Sequence, residues 1–467
     1  RAFPEPKPSQ AGVDLEVVML GNQQIPGVEN ITDEFLNSPW GHGVNSITVT
    51  SSGIDATAQL ATLQTGFQAG TYTHHVLAID VVWTAPFADN GYIINLDPYI
   101  TAANINLSKY ASGIVAACQY MGHNYAFPYF LNLGILYYRK DLLDLHMPGW
   151  DETAFDTWEH LNATANYILN NVTGLLDNPD LVGYIGQLDA YEGGVVNFFE
   201  WAGSAGALNL VTSTGQVNIN TPLVNKAMTF IKALVPPQYT GVQDTDYIIP
   251  RYGLIHDELS SANLWLANNS IFLRQWPYVY PLSIANKMDF GLAPLPHFTG
   301  ATGYKTSAVG GAIIAVPSAI TDPTIREAAI NFTLFLGNKD SQESELIADI
   351  DPGLAYTPQG NFPALLEVFD NPPTGFEYIQ NWAEQAELTL SRPVHPKYPL
   401  ISNAIADYFS DLLSCQKSVD DALSQMQRDV QEIIGVTPPI PGYSLAILVI
   451  SIASMVGIII LARKKLQ

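Results

Sequence analysis

The chain closes on an uncharged apolar run, residues 443–462 (YSLAILVISIASMVGIIILA), followed at once by Arg463-Lys464-Lys465. About twenty helical residues at ~1.5 Å each match a hydrocarbon core of ~30 Å. A basic triplet beyond such a run is the pattern of a cytoplasmic stop. The run therefore predicts one C-terminal transmembrane helix and a cytoplasmic tail at 463–467. The preceding ~435 residues are then an ectodomain on the cell's outer side. Residues 436–442 (VTPPIPG) form a Pro-rich stalk, too short to hold that domain far from the membrane.

The rest of the composition agrees with an exterior setting. Charged residues make up 14% of the chain, against roughly a quarter in ordinary soluble domains. The balance is acidic, 20 Lys and Arg against 44 Asp and Glu, for a formal charge of −24. This disfavours nucleic acid and anionic lipid as partners of the ectodomain. Neutral polar residues carry the surface and limit the charge swing on acidification, which suits an acidic medium.

Six Asn-x-Ser/Thr sequons stand at Asn30, Asn106, Asn162, Asn171, Asn268 and Asn331, none with Pro in the middle. Outside a cell these are acceptors for N-linked glycans. Two cysteines, Cys118 and Cys415, are too few for a disulfide scaffold and leave either one bridge or two free thiols open. Residues 1–12 open with three prolines as an extended lead-in, and an export signal is expected to have been removed before Arg1.

Apolar strand patterns fall at 13–20, 46–50 and 76–83, with helical patterns at 28–35 and 54–69 between them. That alternation predicts an α/β fold with a parallel sheet covered on both faces. Further strands are expected at 125–130, 135–138, 270–274 and 311–317, and a last helix at 419–434. So long an ectodomain exceeds what one core usually supports, which predicts two α/β lobes.

No phosphate loop, His-Glu-x-x-His pair or Gly-x-Ser-x-Gly elbow occurs, so no cofactor and no metal site is expected. His74-His75 is the one adjacent histidine pair, and neighbours on a strand face opposite ways. Aromatic residues instead cluster with neutral hydrogen-bonding groups, as in NYAFPYF (124–130), YEGG (191–194) and RQWPY (274–278). Sugars stack their C–H faces on such rings, and their hydroxyls need Asp, Asn, Gln or Arg at the edge. The same aromatics would also serve as ordinary core.

Seven blocks in order sharpen this. DVVWTAPFADNGYIINLD (80–97), YAFPYFLNLGILYYRKDLL (125–143), YEGGVVNFFEW (191–201) and FLRQWPYVYPL (272–282) come first. FGLAPLPHFTG (290–300), SAVGGAIIAV (307–316) and RPVHPKYPLIS (392–402) follow. Together, across about 13–434, the chain resembles the family-1 extracellular solute-binding proteins of ABC importers, and most closely the archaeal trehalose/maltose-binding branch.

That resemblance implies a two-lobe periplasmic-binding-protein fold of type II, hinged, with discontinuous lobes. One lobe would be 13–130 and 294–345, the other 131–293 and 346–435. It implies no catalysis, a saccharide ligand captured by lobe closure, and delivery to ABC permease subunits. By position, Asp80 matches an acid that accepts ligand hydroxyls, Trp276 a stacking aromatic and Tyr278 its neighbour. Gly310 and Gly311 match a pair where backbone approaches ligand, Tyr191 and Glu192 a block on the far rim, and Arg392 a basic residue near the hinge. The chain departs from the branch at Asn132 and Gln24, where an acid is expected, at Phe130, where the branch has tyrosine, and at Ala312, where it has tryptophan. A neutral amide forgoes the roughly doubled strength of a charged acceptor, which leaves open a different or longer saccharide, weaker binding, or the avoidance of acids that would titrate in an acidic medium.

Two rivals follow from the same residues. A cell-surface coat or filament protein would reuse the fold without transport. A glycoside hydrolase would need two carboxylates about 5–10 Å apart in the cleft.

Overall fold

A computed structural model describes residues 12–20, 28–51, 56–171, 178, 180–212, 214–238, 246–348 and 361–435. The apolar run at 443–462, the stalk, the tail, the lead-in at 1–11 and Gln24 lie outside the described residues. Among the described residues no helix is long and apolar enough to cross a membrane.

Two sheets organise the molecule. The seven-stranded sheet begins with β1 (Val13–Met19), β2 (Val44–Ser51) and β3 (Val76–Asp80). β1 lies between the other two and is parallel to both. Helices α1 (Val28–Asn37) and α2 (Ala56–Ala69) are the crossovers. This part follows the parallel β-α-β expectation, since β3 has four fully buried residues before Asp80.

The rest of the sheet does not. β4 (Phe127–Leu133) is separated from β3 by β9 (Ser307–Ala315), which runs antiparallel to both and makes the sheet mixed. β10 (Phe362–Pro363) borders β4, and β11 (Thr389–Leu390) pairs with the start of β9. The second sheet has four strands: β5 (Ile135–Arg139), β6 (Val182–Ile185), β7 (Ser270–Gln275) and β8 (Phe290–Ala293), in the order β8-β5-β7-β6. Around it pack α3 (Trp158–Asn171), α4 (Glu192–Ser204), α6 (Tyr398–Leu413) and α7 (Val419–Ile434). The Trp158 and Trp201 rings stack there with centroids 3.6 Å apart. α7 begins at Ser418, whose hydroxyl accepts from the Asp421 amide, and stops at Gly435 in the left-handed conformation (φ 86°).

The chain passes between the sheets three times: at Gly134, between Ala293 and Ser307, and between Leu390 and Tyr398. The third passage lies later than the expected boundary at 345/346. Phe362, Val368, Phe369, Ile379 and Trp382 all pack in the core of the seven-stranded sheet, where β10 supplies the edge. A pairing of two residues carries no periodic signal, which is why this attachment could not be read from sequence.

Candidate functional site

β3 ends three residues earlier than its apolar run suggests. The Asp80 carboxylate Oδ1 accepts from the Val82 amide at 3.1 Å, and its carbonyl accepts from the Trp83 amide at 2.9 Å. These bonds close a turn and fix the carboxylate at the strand's end, 23% exposed. Arg392, on the third passage, lies 3.7 Å from Asp80 Oδ1 and donates to the Val309 carbonyl at 3.1 Å. Its other terminal nitrogen donates to Glu192, the first residue of α4. Glu192 also accepts from the Tyr398 hydroxyl at 2.5 Å and from the Ser402 hydroxyl. Asp80, Arg392 and Glu192 thus form a charged chain from the seven-stranded sheet to the second core.

Desolvation raises the Asp80 pKa above the usual carboxylate range, and Arg392 opposes it. Burial alone would favour loss of the Arg392 proton, but Glu192, Tyr398 and Asp80 outweigh it and hold the guanidinium charged.

An aromatic wall stands beside this chain. Trp276 follows β7 and is half-buried, with the Arg274 guanidinium 4.0 Å from its ring centroid. A Cβ on Gly310 would come within 2.9 Å of the far edge of the indole, so glycine there gives the ring its seat against β9. Gly311 takes φ 104°, where a side chain would meet the Phe130 carbonyl at 2.3 Å. Asn132 pairs with Gly310, and its Oδ1 is buried without a hydrogen-bond partner among the described residues.

The wall converges on a residue that sequence reading missed. Tyr191 donates its hydroxyl to Glu258 Oε2 at 2.6 Å, Trp276 Nε1 points at Glu258 Oε1 at 3.5 Å, and Tyr278 donates to the Glu258 carbonyl at 2.9 Å. Burial first, then the Glu258 charge, pushes both tyrosine hydroxyls above their ordinary range. Glu258 opens helix α5 (Glu258–Leu266), whose N-cap Asp257 exchanges hydrogen bonds with Ser260.

Arg274 has a second task. It pairs with Glu200 through two hydrogen bonds, 2.7 and 2.5 Å, with the two side chains 1% and 2% exposed. Desolvation raises the Glu200 pKa, and Arg274 opposes it. The Glu200 oxygen also accepts from the Ala308 amide of β9 at 3.1 Å, beside Gly134, where any Cβ would stand 2.2 Å away. Arg274 and Trp276, two apart, fall on one side of an extended strand, a spacing that was available in RQW. Glu200 and Glu258 had no such signal, because their contacts span 74, 67 and 18 residues.

The structure therefore gathers Asp80, Asn132, Tyr191, Glu192, Trp276, Tyr278, Gly310, Gly311 and Arg392 around the passages between the sheets. Phe130 is a correction: it is 1% exposed and packed against Tyr129, so it offers no side-chain surface to a ligand. A cavity of about 540 Å³ also opens beside Arg392, lined by Tyr120, Phe199, Leu210, Thr212 and Ser391, but not by Asp80 or Trp276. Of the sequons, Asn106 and Asn268 are exposed, Asn162 and Asn331 are half-buried on helices, and Asn30 and Asn171 lie in α1 and α3. Cys118 and Cys415 are free, and among the described residues no cluster of His, Cys, Asp and Glu suits a metal ion.

Comparison with known proteins places this geometry. A "Probable ABC transporter-binding protein" of Deinococcus radiodurans is 28% identical over 395 residues, covering 82% of this chain and 85% of that protein. Maltose-bound MalE3 of T. maritima superposes with a TM-score of 0.71 at 23% identity, covering 90% of this chain and all of the other. The cyclic alpha-maltosyl-1,6-maltose binding protein of Arthrobacter globiformis gives 0.68 at 19%, covering 91% and 99%. The two superpositions show that the chain shares the fold of these structures. The family model described as "Bacterial extracellular solute-binding protein" matches residues 33–358. The chain belongs to that family of bacterial extracellular solute-binding proteins, which are binding proteins and not enzymes.

Proposed function

We propose that this protein is the membrane-anchored, extracellular substrate-binding subunit of an ABC importer, and that it captures a di- or oligosaccharide between two hinged lobes. The observation that carries the reading is the surroundings of Trp276. One face of the ring lies on Arg274, the tryptophan is only half-buried, and hydroxyl-binding groups border it. A pyranose C–H face fits such a platform, while Asp80 and Asn132 supply acceptors for its hydroxyls. Each lobe is built on one of the two sheets, with the three passages as hinge, and closure encloses the ligand between Asp80 and the Trp276 wall. The maltose-bound structural neighbour and the one named for binding cyclic alpha-maltosyl-1,6-maltose support this choice of ligand class.

On this reading the apolar run at 443–462 serves as the anchor at the outer face, where the sequons carry N-linked glycans and the permease receives the ligand. The ordered motifs favour a ligand of the kind expected for the archaeal trehalose/maltose-binding branch that the sequence resembles. A thermal-shift screen of the full-length chain in detergent, against mono-, di- and oligosaccharides, tests the reading. A ligand at 100 times its Kd stabilises a single site by roughly 2.7 kcal/mol, a readily seen shift. A hit abolished by Trp276→Ala establishes the receptor and its cleft together. Silence across the panel refutes it and favours a surface-coat role.

A further inference from the structure

We propose that Glu258 is a positioning residue that fixes the aromatic wall before any ligand arrives. The inference deepens the saccharide reading, on which its affinity arm rests. Its two carboxylate oxygens are divided between the two aromatics that need holding. Oε2 accepts from Tyr191 at 2.6 Å and Oε1 faces the indole N–H of Trp276 at 3.5 Å. Tyr278 and Gln275, by contrast, donate to the Glu258 backbone carbonyl, each at 2.9 Å.

The side chain thereby holds Tyr191 and Trp276, while the backbone holds Tyr278. The capping exchange between Asp257 and Ser260 anchors the helix end from which Glu258 projects. Trp276 is then held on three sides: Arg274 under one face, Gly310 at the far edge, and Glu258 at the pyrrole N–H. A platform locked in this way loses little side-chain freedom on binding, so affinity depends on a residue beside the ring as well as on the ring itself.

Glu258→Ala and Glu258→Gln, made in the full-length chain in detergent, separate this role from a general structural one. The chain has eight tryptophans; 5-fluorotryptophan labelling reports each by fluorine NMR, and Trp276→Phe assigns the signal of interest. Without ligand, Glu258→Ala is expected to broaden or split the Trp276 signal and leave the others unchanged. Glu258→Gln, which keeps an acceptor oxygen, is expected to preserve it. Titration with the saccharide found in the screen is expected to show at least tenfold weaker binding for Ala and less than threefold for Gln.

Tyr191→Phe gives a second, milder variant and should weaken binding without moving the Trp276 signal. An unchanged Trp276 signal in Glu258→Ala overturns the proposal, as does equal loss of binding in the Ala and Gln variants. If the wild type binds no saccharide, the fluorine spectra still decide the positioning role, and only the saccharide reading falls.

Discussion

The Glu200 carboxylate is shared between Arg274, which it grips through two hydrogen bonds, and the Ala308 amide, 3.1 Å away at the start of β9. A buried pair of this kind is costly to break on one side, because the survivor is left charged and unpaired. Glu200→Leu is therefore expected to lower unfolding stability by about 3–5 kcal/mol in urea titration. Glu200→Leu combined with Arg274→Met should recover most of that loss. The double variant should still bind ligand poorly, since Trp276 has lost the guanidinium under its ring. Equal stability of the single and double variants would contradict this account.

Asp80 is expected to trade stability for affinity. Burial disfavours its charged form, so Asp80→Asn should leave the empty protein as stable at neutral pH, or slightly more so. A hydrogen bond to a charged acceptor is worth about 1.5–3 kcal/mol. Asparagine keeps an acceptor oxygen and forgoes about half of that, so ligand affinity should drop roughly three- to tenfold. Calorimetric titration beside a melting curve checks both halves at once.

Gly310→Ala tests the seat of the indole. The new methyl would lie 2.9 Å from the Trp276 ring, the movable end of a side chain, so the fold should survive with a small loss in Tm. Tilting the ring is expected to weaken saccharide binding at least fivefold. Wild-type affinity in this variant would mean that the ring does not serve as the platform.

Acidification should expose the histidines on the seven-stranded sheet. His75 Nδ1 accepts from the Glu16 amide at 3.0 Å, and burial lowers the ring's pKa below 6.5, with Glu16 opposing. Between the folded and unfolded pKa values the unfolded chain binds more protons, so stability rises with pH. This contribution is complete above about 6.5 and is lost as pH falls through the lower folded value. His74, His256 and His395 are shifted the same way by burial. Melting temperature measured from pH 8 to 4 should fall below about 6.5, and His75→Asn should flatten the slope.

Sequence reading found what local pattern encodes and missed what only pairing decides. An apolar run announced β3, and the helix at 419–434 was legible from the charges along one face. The end of β3 at Asp80 was harder, because an apolar run continues to Trp83 while one carboxylate turns the backbone. Trp276 and Arg392 could be singled out by motif order. Glu258 could not, since nothing near it in the chain shows that Tyr191 and Trp276 will meet there. Phe130 stands where the resembled branch places a tyrosine at the ligand, yet its side chain turns into the core, a direction that block position alone does not reveal.

The position of β9 also has a consequence for how the molecule is made. β9 is the strand between β3 and β4, yet roughly 180 residues separate the end of β4 from the end of β9. At ~5–20 residues per second a ribosome needs roughly 10–40 s to cover that distance. Throughout that interval the flanks of β3 and β4 stay unpaired, and the early part of the chain cannot close its sheet. Unpaired flanks invite pairing with other chains, so the nascent protein must be shielded or kept extended. A chain that cannot finish its first sheet until late in synthesis stays threadable through a translocation channel for that long.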